Sequence, residues 1–403
     1  MNIVSLSCNG HDSSATFLIN GKHHKTVIEE RLTSIKHDQV LFSVFEHIKC
    51  FNEEYGIDKI ISTNGTEQEF EYISDILSKY KLENKYLDLE FEFEEHHLYH
   101  AASGFYSSGF DRAVCLVMDG WGADLRLLDL LEILQIDLSK DDYDKVSQLT
   151  GWKFLETTSI YGASYPDNFE ILFKNFLRPH PPPEQYLQKS KFPYKWLKKI
   201  EDSSILSCNS NYDVGMLYGL ISGHLFTDNE QCGKVMGLSG YGKPNKDLPE
   251  FIIKNGFVDM NFAFSDMCIN TINFPSMEHN GDFQKRADIA YKVQKHTEDI
   301  FRMRIKDIIR IIPDVKNIVL SGGVALNICA NSVIQEEFPD INFYIDPIAS
   351  DGCQSYGAAK YYHYKETGSM IKEPMHTIYH GIHQPHPSIL KKQIELDVAK
   401  HNK

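Results

Sequence analysis

The densest run of chemically capable side chains is Glu94-Glu95-His96-His97-Leu98-Tyr99-His100. His96 and His100 stand at i, i+4, so a helix there carries both imidazoles on one face, as a shared metal ion requires. The zinc-peptidase form of this spacing places a Glu directly after the first His as general base. Here His97 holds that position, which disfavours peptidase chemistry. A run of histidines is also an ordinary surface cluster, and spacing alone leaves both readings open. Two aspartates could complete a metal site. Asp119 follows the apolar run Ala113-Val114-Cys115-Leu116-Val117-Met118 at a turn opened by Gly120 and Gly122. Asp351 follows Phe343-Tyr344-Ile345, within Ala349-Ser350-Asp351-Gly352. Aspartates at the strand ends of α/β sheets point into the crevice where ligands bind. Taken singly, each also fits a turn or a helix cap. Two His with one or two Asp suit iron(II), manganese or zinc.

Three further segments carry chemistry. Ser321-Gly322-Gly323-Val324-Ala325-Leu326-Asn327 follows a strand-like run and should open a helix. Its paired glycines let a backbone approach a nucleotide closely, and helix amides bind anions. Gly233-Lys234-Val235-Met236-Gly237-Leu238-Ser239-Gly240-Tyr241-Gly242-Lys243-Pro244 is a second glycine-rich stretch, equally readable as a flexible loop. Glu29-Glu30-Arg31-Leu32-Thr33-Ser34-Ile35-Lys36-His37-Asp38 is dense in charge. It is either a solvated loop or a place where Lys36 and Arg31 hold an anionic substrate.

These side chains need elements to position them. Runs at 3–7, 14–19 and 26–28 read as antiparallel strands, the last two joined by the hairpin signal Asn20-Gly21. Helical patterns at about 40–51 and 67–80 flank a strand-like 59–63. A second strand-turn set starts at Ala113 and a third at Asn317, after a long helical pattern from about Phe283 to Ile312. The recurrence of acidic, glycine-containing turns after strands suggests a duplicated fold. From about 151 to 211 the chain carries Pro166, Pro179, Pro181-Pro182-Pro183 and Pro193 among aromatics and lysines, and reads as an irregular insertion or lid. Beyond Ile371, prolines and histidines precede a short helical pattern at 387–401.

Composition sets outer bounds. A chain of 403 residues is long for one core, which predicts two lobes. The formal net charge of −15 weakens backbone binding to nucleic acid without excluding it. No apolar run approaches the ~18–20 residues that span a bilayer, and the N-terminus lacks a basic segment followed by an apolar one. The eight cysteines include no C-x-x-C pair and read as reduced structural thiols. The expected location is the cytoplasm.

Taken in order over residues about 1–365, the segments resemble a known family. They are Asn9-Gly10-His11-Asp12-Ser13-Ser14-Ala15, Glu29-Glu30-Arg31 with Lys36-His37-Asp38, and His96-His97-Leu98-Tyr99-His100-Ala101-Ala102-Ser103. Asp119-Gly120-Trp121-Gly122, Gly233-Lys234-Val235-Met236-Gly237-Leu238, Ser321-Gly322-Gly323-Val324-Ala325-Leu326-Asn327, and Asp351-Gly352 with Tyr356-Gly357-Ala358-Ala359 complete the series. This pattern resembles the O-carbamoyltransferases of nodulation-factor, cephamycin and tobramycin biosynthesis. The resemblance implies a two-lobed α/β fold of the actin-like ATPase, sugar-kinase and Hsp70 type, as in the tRNA threonylcarbamoyl-transfer protein. It implies that carbamoyl phosphate and ATP give a carbamoyl-adenylate, whose carbamoyl group passes to a hydroxyl. By the same resemblance, His96, His100, Asp119 and Asp351 match the ligands of an iron(II) ion, with manganese or zinc as substitutes. His11 matches a histidine that polarises the carbamoyl oxygen, and Lys36 a lysine contacting the adenylate; with Asp12 they form the expected catalytic set. Gly322, Gly323 and Asn327, with Gly120 and Gly122, match the nucleotide-binding turns.

The sequence also departs from that pattern. After the Asp119 turn the chain reads Gly122-Ala123-Asp124, where the family usually has an acidic residue sooner. The resemblance predicts an N-terminal lobe over 1–112, a C-terminal lobe over 113–370 containing the 151–211 insertion, and a tail over 371–403. There Tyr379-His380-Gly381 resembles the linker into a YrdC-like, adenylate-forming domain. The expectation is a transfer subunit that needs a separate YrdC-like partner, acts on a small-molecule, sugar or hydroxymethylated-base hydroxyl, uses no membrane, and is a possible homodimer. Two other functions fit the shared architecture: threonylcarbamoyl transfer to tRNA adenosine, and a non-catalytic nucleotide-binding regulator.

Overall fold

A computed structural model describes residues 1–375 and 378, apart from 9–11, 39–40, 64–66, 87–94, 121, 150–152, 178–191, 210–212, 249–252, 255–256 and 259–281. In the first lobe, β1 (Ile3–Ser7), β2 (Ser14–Ile19) and β3 (Lys22–Ile28) form an antiparallel meander, and β4 (Lys59–Ser62) joins β1 in parallel. The order is β3-β2-β1-β4. Asn20 and Gly21, both at positive φ, make the tight turn that the Asn-Gly pair predicts. α1 (Glu29–Thr33), α2 (Phe42–Tyr55) and α3 (Glu67–Lys79) complete the lobe. Val4, Leu6 and Phe17 of the sheet pack against Phe45, Ile48, Phe51, Ile73 and Leu77 of α2 and α3. Glu29, in the segment whose bland reading was a solvated loop, is fully buried. Its carboxylate accepts the N–H groups of Ser43 at 2.8 Å and Val44 at 2.9 Å, which caps α2.

The second lobe repeats the scheme. α4 (Glu95–Ser108) leads into β5 (Arg112–Met118), then β6 (Asp124–Arg126), α5 (Leu127–Ile133) and α6 (Lys140–Ser147). β7 (Lys153–Ser164) and β8 (Asn168–Leu177) follow, with α7 (Phe192–Glu201), β9 (Leu206–Asn209), α8 (Val214–Phe226) and α9 (Cys232–Ser239). After the short pair β10 (Ile253–Lys254) and β11 (Phe257–Val258) come α10 (Phe283–Ile311), β12 (Asn317–Ser321), α11 (Ile328–Glu337), β13 (Asn342–Ile345) and α12 (Gln354–Thr367). The sheet order is β13-β12-β5-β7-β8-β9, with β6 paired to β7. β5, β7 and β8 form an antiparallel meander and β12 lies parallel beside β5, as β4 lies beside β1. Building one topology twice gives the two-lobed, actin-like ATPase fold.

Two helices tie the lobes together. α4 packs Ala101, Ala102 and Phe105 on Cys115, Val117 and Val319 of the second sheet. α12 packs Ala358 and Ala359 on Ile3, Leu18 and Ile61 of the first. The two helices meet where Gly357 lies on α4. A Cβ there would collide with the carbonyl oxygen of Tyr99, so only glycine allows the approach. Ser355 adds a buried polar seam, 2.8 Å from Ser14 Oγ and 3.0 Å from Thr16 Oγ1.

The irregular insertion expected over 151–211 is corrected by the structure. Much of it is β7 and β8, central strands of the second sheet. The reason is local: the buried stretch Glu156-Thr157-Thr158-Ser159 and the buried Lys174 break the apolar alternation that marks a strand, and Pro166 sits in the connection between the two strands. The prolines at 179–183 and the helical pattern at 387–401 lie outside the described residues.

Candidate metal centre

His96 and His100 lie on α4, whose pitch turns both rings to one side. Asp119 stands just past the end of β5. Its Oδ1 accepts the N–H of Gly120 at 2.8 Å and of Gly323 at 3.1 Å, which leaves Oδ2 to face the histidines. Asp351 opens the single turn Asp351–Cys353 before α12. His96 Nε2 is 3.3 Å from Asp119 Oδ2 and 3.6 Å from Asp351 Oδ1. His100 Nε2 is 3.5 Å from Asp119 Oδ2 and 3.2 Å from Asp351 Oδ1. The four candidate ligand atoms all lie within 4.8 Å of one another.

Electrostatics tightens this group. Burial would raise the Asp119 carboxyl, but hydrogen bonds from His100 and His96 hold it well below the usual range. Burial would lower His100, yet Cys353, Asp119 and Asp351 together raise it well above an ordinary imidazole. His100 Nδ1 lies 3.3 Å from Cys353 Sγ, a thiol that burial pushes up to about 11. Two imidazoles, neutral once a cation displaces the His100 proton, and two carboxylates match a divalent first-row cation in both charge and donor type. A buried oxygen, Gln354 Oε1, has no hydrogen-bond partner among the described residues, although its side-chain amide lies against the cluster. The residues therefore fit a metal ion.

His97 belongs elsewhere. It is fully buried, 2.9 Å from Ser159 Oγ, and burial holds its imidazole down to about 3. Ser159 donates to Glu156 at 2.7 Å, and Glu156 also takes the buried Lys174 ammonium. Burial opposes ionisation of Glu156, but His97 and Lys174 bring it down to about 2. A bulge at Glu156/Thr158 lets residues 156 and 159 share one face, which an unbroken strand would forbid. This relay was missed in the sequence; its only signal was charge inside strand-length runs. Gly122 lies against it, donating its N–H to the Glu156 carbonyl at 2.6 Å.

The glycine turns adjoin the His/Asp cluster, and the remaining expected site residues have partners elsewhere. Gly322, at φ +85°, packs where a Cβ would strike the carbonyl of Met118, and it starts the turn whose next N–H binds Asp119. Asn327 uses its amide inside the protein: it exchanges hydrogen bonds with Gln294 at 2.9 and 3.0 Å and caps α11 at Ala330 N. Asp12 is buried, 3.1 Å from His37 Nδ1. Lys36 donates to the backbone carbonyl of Glu230, and His37 Nε2 lies 3.6 Å from the Glu230 carboxylate, so this loop reaches the second lobe. His11 lies outside the described residues.

Residues 179–360 match the family profile described as Carbamoyltransferase N-terminus. An uncharacterized protein of Synechocystis is 24% identical over 430 residues, covering 92% of this chain and 59% of that protein. The tRNA N6-adenosine threonylcarbamoyltransferase of Streptococcus mutans is 28% identical over 152 residues, 33% of this chain and 44% of that enzyme. Full-length HypF, solved in its phosphate- and nucleotide-bound form, shares the fold at a TM-score of 0.50 and 14% identity, over 91% of this chain and 56% of HypF. A little under half of the chain is thus similar to a carbamoyltransferase family model. The chain spans little more than half the length of the Synechocystis relative. Among the described residues, no helix is long and apolar enough to cross a membrane.

Proposed function

We propose that this chain is the transfer unit of a metal-dependent O-carbamoyltransferase. The carrying observation is the convergence of His96, His100, Asp119 and Asp351 on one point, with Asp119 also bonded to the Gly322-Gly323 turn. The family match over 179–360 supports the reaction class. In this reading the donor is carbamoyl-adenylate, made from carbamoyl phosphate and ATP by a YrdC-like unit. The carbonyl carbon loses its bond to the phosphate oxygen and gains one to the hydroxyl oxygen of the acceptor; the hydroxyl proton leaves and AMP departs. A bound iron(II), manganese or zinc ion supplies positive charge where the carbonyl oxygen becomes negative. His96, His100, Asp119 and Asp351 hold that ion. The Gly323 turn positions the nucleotide, while Gly120 and Gly122 shape the adjoining backbone. Lys36 is assigned to the anionic phosphate, which requires it to leave the Glu230 carbonyl, and His11 with Asp12 is assigned to the carbonyl.

The test supplies synthetic carbamoyl-adenylate and iron(II) to the purified chain with a panel of sugars, small-molecule alcohols and hydroxymethylated bases. Mass spectrometry then looks for a carbamoyl group replacing a hydroxyl hydrogen. Transfer that survives unchanged in the His96→Ala/His100→Ala variant would overturn the metal-dependent reading. The stretch similar to the streptococcal tRNA enzyme supports a second reading, threonylcarbamoyl transfer to tRNA adenosine. Ribonuclease-sensitive activity on bulk tRNA, with no transfer to the alcohol panel, would favour it.

A further inference from the structure

Gln354 is the first residue of α12 and stands three positions after Asp351. It is almost wholly buried. Its Nε2 lies 3.0 Å from Asp351 Oδ1 and 3.4 Å from His100 Nε2. The same atom is 3.3 and 3.2 Å from the two ring nitrogens of His96. Near-equal distance to both nitrogens is not the geometry of a bond along either lone pair. The directed contact is therefore the donation to Asp351. The other end of the amide, Oε1, is buried and has no partner among the described residues. A buried carbonyl left without a partner is unfavourable.

A half-turn about the last side-chain bond exchanges the amide oxygen and nitrogen with little other movement. It would bring Oε1 to the point that Nε2 now holds, among the atoms of Asp351, His96 and His100. Without a cation that orientation sets oxygen against carboxylate and is unfavourable. With a cation in the cluster it is favourable, because an amide oxygen is a hard, neutral donor. We propose that Gln354 is a fifth ligand of the metal centre, donating from Nε2 to Asp351 in the metal-free protein and coordinating through Oε1 once an ion is bound. This inference rests on the metal-centre reading above. A set of two His, two Asp and one Gln suits iron(II) or manganese(II) better than a closed tetrahedral zinc site.

Cobalt(II) is the probe, added to the full chain and to Gln354→Met and Gln354→Glu, with competition against a chelating dye and visible spectra of the bound ion. The expected result is cobalt binding about 10–100-fold weaker in Gln354→Met, with a stronger visible band as the coordination number falls. Gln354→Glu should bind more tightly than the parent, and it carries the test if the Met variant does not fold. Unchanged affinity and spectrum in both variants would overturn the fifth ligand while leaving the four-ligand centre standing. A parent chain that binds no cobalt at all would overturn the centre itself, and the inference with it.

Discussion

Oδ1 of Asp119 accepts the backbone N–H of Gly323 at 3.1 Å, so one carboxylate belongs both to the metal cluster and to the glycine turn. Its two oxygens can be separated by mutation. Asn in this place can still accept from Gly120 and Gly323 but turns an amide nitrogen toward the histidines. Asp119→Asn should lower metal affinity about 10–100-fold with the fold intact, read by chelator competition. Asp119→Ala should, in addition, speed hydrogen exchange at the Gly323 amide. Equal exchange in the two variants would show that the carboxylate does not hold the turn.

The buried pair Lys174–Glu156 offers a stability test. Both side chains have no solvent exposure. Lys174→Met strands the Glu156 charge and should destabilise the chain by about 3–5 kcal/mol in urea unfolding. Lys174→Met/Glu156→Leu should recover much of that loss. A double variant no more stable than the single one would rule out a stranded charge as the cause.

His47 gives a pH dependence away from the metal centre. Burial, with the neighbouring Lys25, lowers its imidazole from 6.5 to about 4. The folded state therefore holds the neutral form. Its contribution is complete above pH ~6.5 and drains away as the pH falls through the window down to about 4. The full loss is about 3 kcal/mol at 1.4 kcal/mol per unit. His47→Gln should flatten this part of the stability curve, measured by urea midpoints from pH 7 to 4. A slope identical to the parent would remove His47 as its source.

Gly357→Ala tests the contact between α4 and α12. The added methyl must push the helices apart at Tyr99. The expected cost is about 1–3 kcal/mol, with metal affinity falling too, because Asp351 precedes one helix while His96 and His100 ride on the other. A lower melting temperature at unchanged metal affinity would uncouple the helix contact from the centre.

The sequence exposed this site unevenly. His96, His100, Asp119 and Asp351 stood out because helical spacing and strand ends leave local marks, and the structure brings all four together. The Asn-Gly hairpin and the long helix over Phe283–Ile311 were legible for the same reason. The central strands β7 and β8 were not, since buried Glu156, Ser159 and Lys174 read as solvent-facing until their partners are known. Gln354 left no mark, because a Gln at a helix start is unremarkable without the histidines it meets through the fold. Asn327 was expected in the nucleotide turn by family resemblance alone, and its amide bonds Gln294 and caps α11.

His100 and Asp351 are 251 residues apart in sequence, and α4 and α12 pack on different sheets. Such a centre rests on contacts of very long sequence separation. A bound ion would report assembly: a chain ending before Asp351 keeps three of the four residues yet has no closed cage for the ion. Retained metal would then count correctly assembled molecules, independently of any turnover.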